Sequence, residues 1–117
     1  MEPKVIYVAG PYTAKDDWVR KQNIYKAEQI NAWLWAEGYY SICPHMNTAF
    51  FGGLCTERGF LEGGLEFLRR SDAVVLVTGW EKSIGTLVEI EEAKKLGIPV
   101  YDGLENFMRR KELKWGK

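Results

Sequence analysis

A chain of 117 residues has room for one hydrophobic core and not for two, so residues 1–117 are read as one domain. Its 16 basic and 16 acidic side chains cancel, which argues against a polymeric nucleic acid as partner, and no apolar run approaches the roughly 20 residues that cross a bilayer. Two cysteines and one histidine do not make a four-ligand zinc site or a disulfide framework, so no metal is expected and a reduced, cytoplasmic setting is the simplest reading.

Val5-Ile6-Tyr7-Val8-Ala9 is a short apolar run closed by Gly10-Pro11, with no signal peptide ahead of it, and reads as a buried central strand. A helix is predicted from about Asp16 to Glu37, stopped by Gly38, with Ile24, Ala27, Ile30, Asn31 and Leu34 facing inward. Trp33 falls well away from that face and is expected outside the core. Tyr39 to Cys43 is a second strand, stopped by Pro44. Residues 44–59 read as a long loop carrying His45, Asn47 and Gly52-Gly53, and loops of this length are usually functional or mobile. A helix from about Gly59 to Arg70 leads to the apolar strand Ala73 to Thr78. After the loop Gly79 to Gly85, a helix runs to Leu96, ended by Gly97 and Pro99. Ile98 to Tyr101 is the fourth strand, and a closing helix is predicted from Leu104 to about Lys114.

Strict alternation of strand and helix predicts a flavodoxin- or Rossmann-like three-layer α/β sandwich, with four to five parallel strands in the order 2-1-3-4. Ligands in such sheets bind outside the carboxyl ends of the strands. Those ends carry Gly10-Pro11-Tyr12-Thr13, then Pro44-His45-Met46-Asn47, then Thr78 to Gly85. Neither G-x-G-x-x-G nor G-x-x-x-x-G-K-[ST] is present, which removes the dinucleotide and P-loop readings, and no organic cofactor is called for. Ser83-Ile84-Gly85-Thr86 is the better anion site, with two hydroxyls and a glycine at a helix start; ordinary capping by Ser83 or Thr86 explains it as well. His45 in a loop is more often a packing or surface residue than a general acid, though its place at a strand end raises the odds. Asp72, at the opposite edge, reads as structural.

Glu89 is the odd residue. It falls within the apolar stripe of its helix, formed by Thr86, Ile90, Ala93 and Leu96, where a carboxylate is expensive. Two readings compete: a capping box, Thr86-x-x-Glu89, and a catalytic carboxylate at the mouth of the sheet. On this segment alone the cap is the commoner outcome. The aromatic content is also high, five Trp, six Tyr and five Phe. With Trp33, Trp18 and Trp80 expected at the surface, it predicts a homo-oligomer, most simply a two-fold dimer.

The chain resembles the nucleoside 2-deoxyribosyltransferase superfamily, nearest to its small members and to the 2'-deoxynucleoside 5'-phosphate N-hydrolases. Three stretches carry the resemblance: Ile6-Tyr7-Val8-Ala9-Gly10-Pro11, Ser71-Asp72-Ala73-Val74-Val75-Leu76, and Ser83-Ile84-Gly85-Thr86-Leu87-Val88-Glu89 with Ala93. The resemblance implies cleavage or transfer at an N-glycosidic bond, with Glu89 as nucleophile and Tyr7 positioning it. It implies that Ser83 contacts a 5'-phosphate, since the transferase branch carries Asp there, and that Gly10 to Thr13 face phosphate and sugar. Members of the family assemble, often completing each site from a neighbour. One departure stands out: where both branches usually place an Asp that assists proton transfer to the base, this chain has Gly64, with Glu62 and Glu66 nearby. A nucleotide-binding module that kept the pocket and lost the chemistry is therefore the alternative. His45 or Glu62 is the candidate proton donor, and the expected partner is a small nucleotide or nucleoside.

Overall fold

The computed structural model describes residues 2–12, 14, 16–44 and 53–110. Strands β1 (Val5–Ala9), β2 (Tyr40–Ile42), β3 (Ala73–Leu76) and β4 (Val100–Tyr101) form a parallel sheet in the order β2-β1-β3-β4. Helices α1 (Asp17–Ala36), α2 (Glu57–Arg69), α3 (Ile84–Leu96) and α4 (Leu104–Met108) alternate with them, and a 3-10 turn, Trp80–Lys82, precedes α3. The expected α/β architecture and strand order are both present, with four strands. The predicted end of the closing helix, beyond Arg110, lies outside the described residues.

Alternation along β1 sorts the two halves of the core. Ile6 and Val8 face a cluster with Ala27 and Leu34 of α1, Val75 of β3 and Phe107 of α4. Tyr7 and Ala9 face the other side, with Leu68 of α2, Val74 and Leu76 of β3, and Ile90 and Ala93 of α3. Each helix pair thus covers one face, which is why the central strands are apolar throughout. Among the described residues, no helix is long and apolar enough to cross a membrane.

Local chemistry sets the ends of the elements. Asp16 caps α1, accepting the Val19 amide at 2.8 Å, and Thr56 caps α2 by accepting from Gly59 at 3.0 Å, so α2 begins at Glu57, before the Gly59 expected. Gly97 ends α3 with φ +73°, a backbone region in which a β-carbon is strained. Before β3, Asp72 accepts the backbone amides of Lys4 and Val5, both at 2.9 Å, and ties the start of β1 to that of β3. It is structural, as its position suggested.

Several side chains depart from the helical-wheel reading. Trp33 is half-buried and packs against the α1 side of the core, rather than standing outside it. A charge at Trp33 would therefore damage the fold, and that residue is no ground for predicting a dimer. Trp18, by contrast, is 68% exposed, and Trp80 is half-buried with its indole N–H donating to Asp102 at 3.0 Å. Asn23 of α1 is buried, while Ile24, Ile30 and Asn31 are only partly so. Leu96, placed on the inner stripe of α3 by periodicity, is 50% exposed, at the last position of the helix before the Gly97 cap.

Candidate active site

Glu89 is the sixth residue of α3, in its second turn, and is 9% exposed. Its Oε2 accepts the hydroxyl of Tyr7 at 2.5 Å, a short bond between side chains 82 positions apart. Tyr7 is fully buried, on the face of β1 that α2 and α3 cover. Side chains on a helix lean toward its N-terminus, so Glu89 reaches back toward the carboxyl edge of the sheet.

The capping-box reading of Glu89 fails on this geometry. The cap of α3 is Ser83, whose Oγ accepts the Thr86 amide at 3.2 Å and the Thr86 hydroxyl at 2.9 Å. Thr86 is buried in the first turn and is not a cap, so Glu89 has no orphan amide within reach to satisfy.

Burial pushes the Glu89 carboxyl up from 4.5 to about 7; the hydrogen bond from Tyr7 works against that rise without cancelling it. The Tyr7 phenol is pushed far above its ordinary range, first by burial and then by the adjacent Glu89 charge. The proton of this pair therefore belongs to the phenol, and near neutral pH Glu89 passes between its two forms. A carboxylate that is poised in this way, close to the working pH and out of water, is what nucleophilic or acid–base chemistry requires.

The two loops proposed to hold a ligand, after β1 and before α3, approach each other. A β-carbon on Gly10 would stand 2.4 Å from the Val77 β-carbon, so only glycine lets the ends of β1 and β3 pack this closely. A β-carbon on Gly79 would come 3.5 Å from the Pro11 ring, which puts the loop before α3 against the loop after β1. The Asn23 amide donates to the Tyr12 carbonyl at 3.4 Å and holds that loop to α1. Pro11 and Tyr12 are half-buried, and Gly85 lies in the first turn of α3 with open space about its α-carbon. Thr13 and His45 lie outside the described residues, as do Asn47 and Gly52.

Gly64 of α2 is the residue whose part the sequence did not disclose. A β-carbon there would stand 2.7 Å from the Tyr7 hydroxyl and 3.4 Å from Glu89 Oε2. The one available signal was the Gly63-Gly64 pair, costly inside a helix and so a mark of something packed closely. Neither neighbouring carboxylate takes its place. Glu62 is exposed, and Glu66 is exposed and held by Arg70 and, less strongly, Arg69, whose guanidinium groups keep its carboxyl below the usual range. Among the described residues no group of three or more His, Cys, Asp or Glu is arranged to hold a metal ion.

This architecture is shared with solved structures. A 2-deoxyribosyltransferase from the psychrotolerant bacterium Bacillus psychrosaccharolyticus superposes with a TM-score of 0.60 at 23% identity, covering 83% of this chain and 69% of that one. A 2-deoxyribosyltransferase from Leishmania mexicana gives a TM-score of 0.58 at 21% identity, covering 85% of this chain and 63% of that one. At these identities the likeness is one of fold, and the chain spans about two thirds of the length of either protein. No curated protein matches the sequence. A domain of unknown function, DUF4406, matches residues 4–102, most of the chain from β1 through β4, and the protein belongs to that family.

Proposed function

We propose that this protein cleaves the N-glycosidic bond of a nucleoside 5'-monophosphate, by hydrolysis or by transfer to a second base, with Glu89 as nucleophile. The observation that carries this reading is the buried Tyr7–Glu89 pair, with its short hydrogen bond, on a fold shared with two 2-deoxyribosyltransferases. A Glu89 oxygen bonds to C1' of the sugar as the C1'–N bond breaks, and the bonding electrons leave with the base, which takes up a proton. Water or a second base then attacks C1', gives up a proton, and returns Glu89 as a carboxylate, the two-step logic of a retaining glycosidase.

Each remaining residue takes a part in this reading. Tyr7 holds one carboxylate oxygen and orients the other for attack. Ser83, the α3 amide of Gly85 and the Gly10-Pro11-Tyr12 loop hold the phosphate at the helix start, whereas Thr86, buried and donating both its amide and its hydroxyl to Ser83, supports Ser83 rather than the phosphate. Residues 1–117 act as one domain, and neither a metal nor an organic cofactor enters the reaction.

The alternative, a nucleotide-binding module without turnover, is favoured by one observation. Gly64 contributes no acid, and Glu62 and Glu66 are both exposed. Loss of a proton donor typically costs 10²–10⁴-fold in rate. Incubation with a panel of nucleosides and nucleoside monophosphates, with free base followed by chromatography, separates the two readings. Base release by the wild type that disappears in Glu89→Gln supports the enzyme. Saturable nucleotide binding with no released base supports the module, and base release that survives Glu89→Gln overturns Glu89 as nucleophile.

A further inference from the structure

Gly64 occupies a position that sequence resemblance treats as a missing acid, yet the space beside it is not empty. The Tyr7 hydroxyl fills it, 2.7 Å from where a Gly64 β-carbon would stand, and ordinary carbon–oxygen contact needs several tenths of an ångström more. The Tyr7 ring is fully buried in the cluster with Leu68, Val74, Leu76 and Ile90, so moving its hydroxyl away from Gly64 disturbs packed core side chains. The next residue along α2 makes the contrast, since a β-carbon on Gly63 would meet nothing within 4 Å. Of two adjacent glycines, one is required by close approach and the other is not.

We propose that Gly64 is a positioning residue: the absence of a side chain there creates the seat for the Tyr7 hydroxyl, and so holds Tyr7 on Oε2 of Glu89. A side chain at position 64 displaces that hydroxyl, so in this chain Tyr7 and a residue-64 acid exclude one another. The bearing on catalysis rests on the reading of Glu89 as nucleophile; the seat itself does not.

Among the described residues, few groups face the pair. Tyr7 of β1 donates to Glu89 of α3, and Cys43, just beyond β2, acts on the Tyr7 hydroxyl. From α2 and β3 the neighbours among the described residues are Gly64, Leu68, Val74 and Leu76, none of which titrates. Loss of the Tyr7 hydrogen bond removes the influence that lowers the Glu89 carboxyl, so the ionisation midpoint rises.

The test is a double-mutant cycle on the free protein, with the Glu89 carboxyl carbon followed by NMR against pH, so that no substrate or turnover is needed. Gly64→Ala and Tyr7→Phe should each raise the midpoint from about 7, by about one pH unit for a hydrogen bond to a charged group. Gly64→Ala/Tyr7→Phe should match Tyr7→Phe alone, because without the hydroxyl the closest contacts of the new methyl relax to 3.4 Å and 3.9 Å. Gly63→Ala should leave the midpoint unchanged. If Gly64→Ala fails to fold, folding restored by Tyr7→Phe supports the seat, and a double variant that also fails to fold overturns it. An unmoved midpoint in Gly64→Ala, or shifts that simply add in the double variant, overturns it as well. Absence of base release from any nucleotide would instead count against the proposed reaction and leave this result standing.

Discussion

At the amino edge of the sheet, Asp72 lies in water and accepts two backbone amides, from Lys4 and Val5. On the covered face of the same sheet, Glu89 lies out of water and accepts one phenol. The two carboxyls move in opposite directions. The amides hold Asp72 below its ordinary value, whereas burial lifts Glu89 to about 7. Asp72 lowers the free energy of the folded chain by staying ionised, and an ionised Glu89 raises it. Strain of the second kind is characteristic of sites that use it, and the contrast separates a carboxylate that builds the fold from the one proposed for chemistry.

The largest expected effect is on turnover. Glu89→Gln should lower base release from a nucleoside monophosphate by at least about 10³-fold, as loss of a nucleophile does, with the far-UV spectrum unchanged. Asp72→Asn should leave it within about twofold. Similar losses from both variants would erase the distinction. In the wild type, kcat/KM should rise with pH through a midpoint near 7 as Glu89 ionises.

Stability should move the other way. A carboxyl whose folded value is raised gives its full contribution below about 4.5, and that contribution is lost as pH climbs through about 7. Glu89→Gln should therefore match the wild type near pH 4.5 and exceed it at pH 8, by up to about 3 kcal/mol in denaturant unfolding. A variant that is less stable at pH 8 would show that the ionised carboxylate is well solvated or paired.

Ser83→Asp sharpens the comparison at the helix start. Aspartate caps a helix as well as serine does, so stability should change by less than about 0.5 kcal/mol. A negative charge at that position should reduce the preference for a monophosphate over its nucleoside by about tenfold or more. An unchanged preference, measured by calorimetric titration of both ligands, would move the phosphate elsewhere. Asp72→Ala is the smallest effect, about 1 kcal/mol for two exposed charge-assisted hydrogen bonds. Because the folded Asp72 value is lowered, that loss is present above about 3.8 and disappears as pH falls below it, opposite to Glu89.

Much of the framework follows from local pattern. β1 is found where its apolar run ends at Gly10-Pro11, and Gly38 and Gly97 end helices as their positions predict. The alternation of elements, with right-handed crossovers, leads to the strand order 2-1-3-4. Glu89 was also visible, as a charge in an apolar stripe. These features depend on residues a few positions apart, whose relation is set by helix and strand periodicity alone.

What periodicity does not carry is the partner of each group. The Thr86-x-x-Glu89 spacing reads as a capping box until the true cap, Ser83, is seen and Tyr7 arrives from 82 positions away. Trp33 is drawn against the core by packing around α1, and Gly64 acquires its purpose only when α2 is laid over Tyr7. Those contacts depend on strand register and on how closely two helices approach one face of the sheet. Chain order by itself does not encode that approach, because distances of a few tenths of an ångström between distant residues arise only when the whole core is packed.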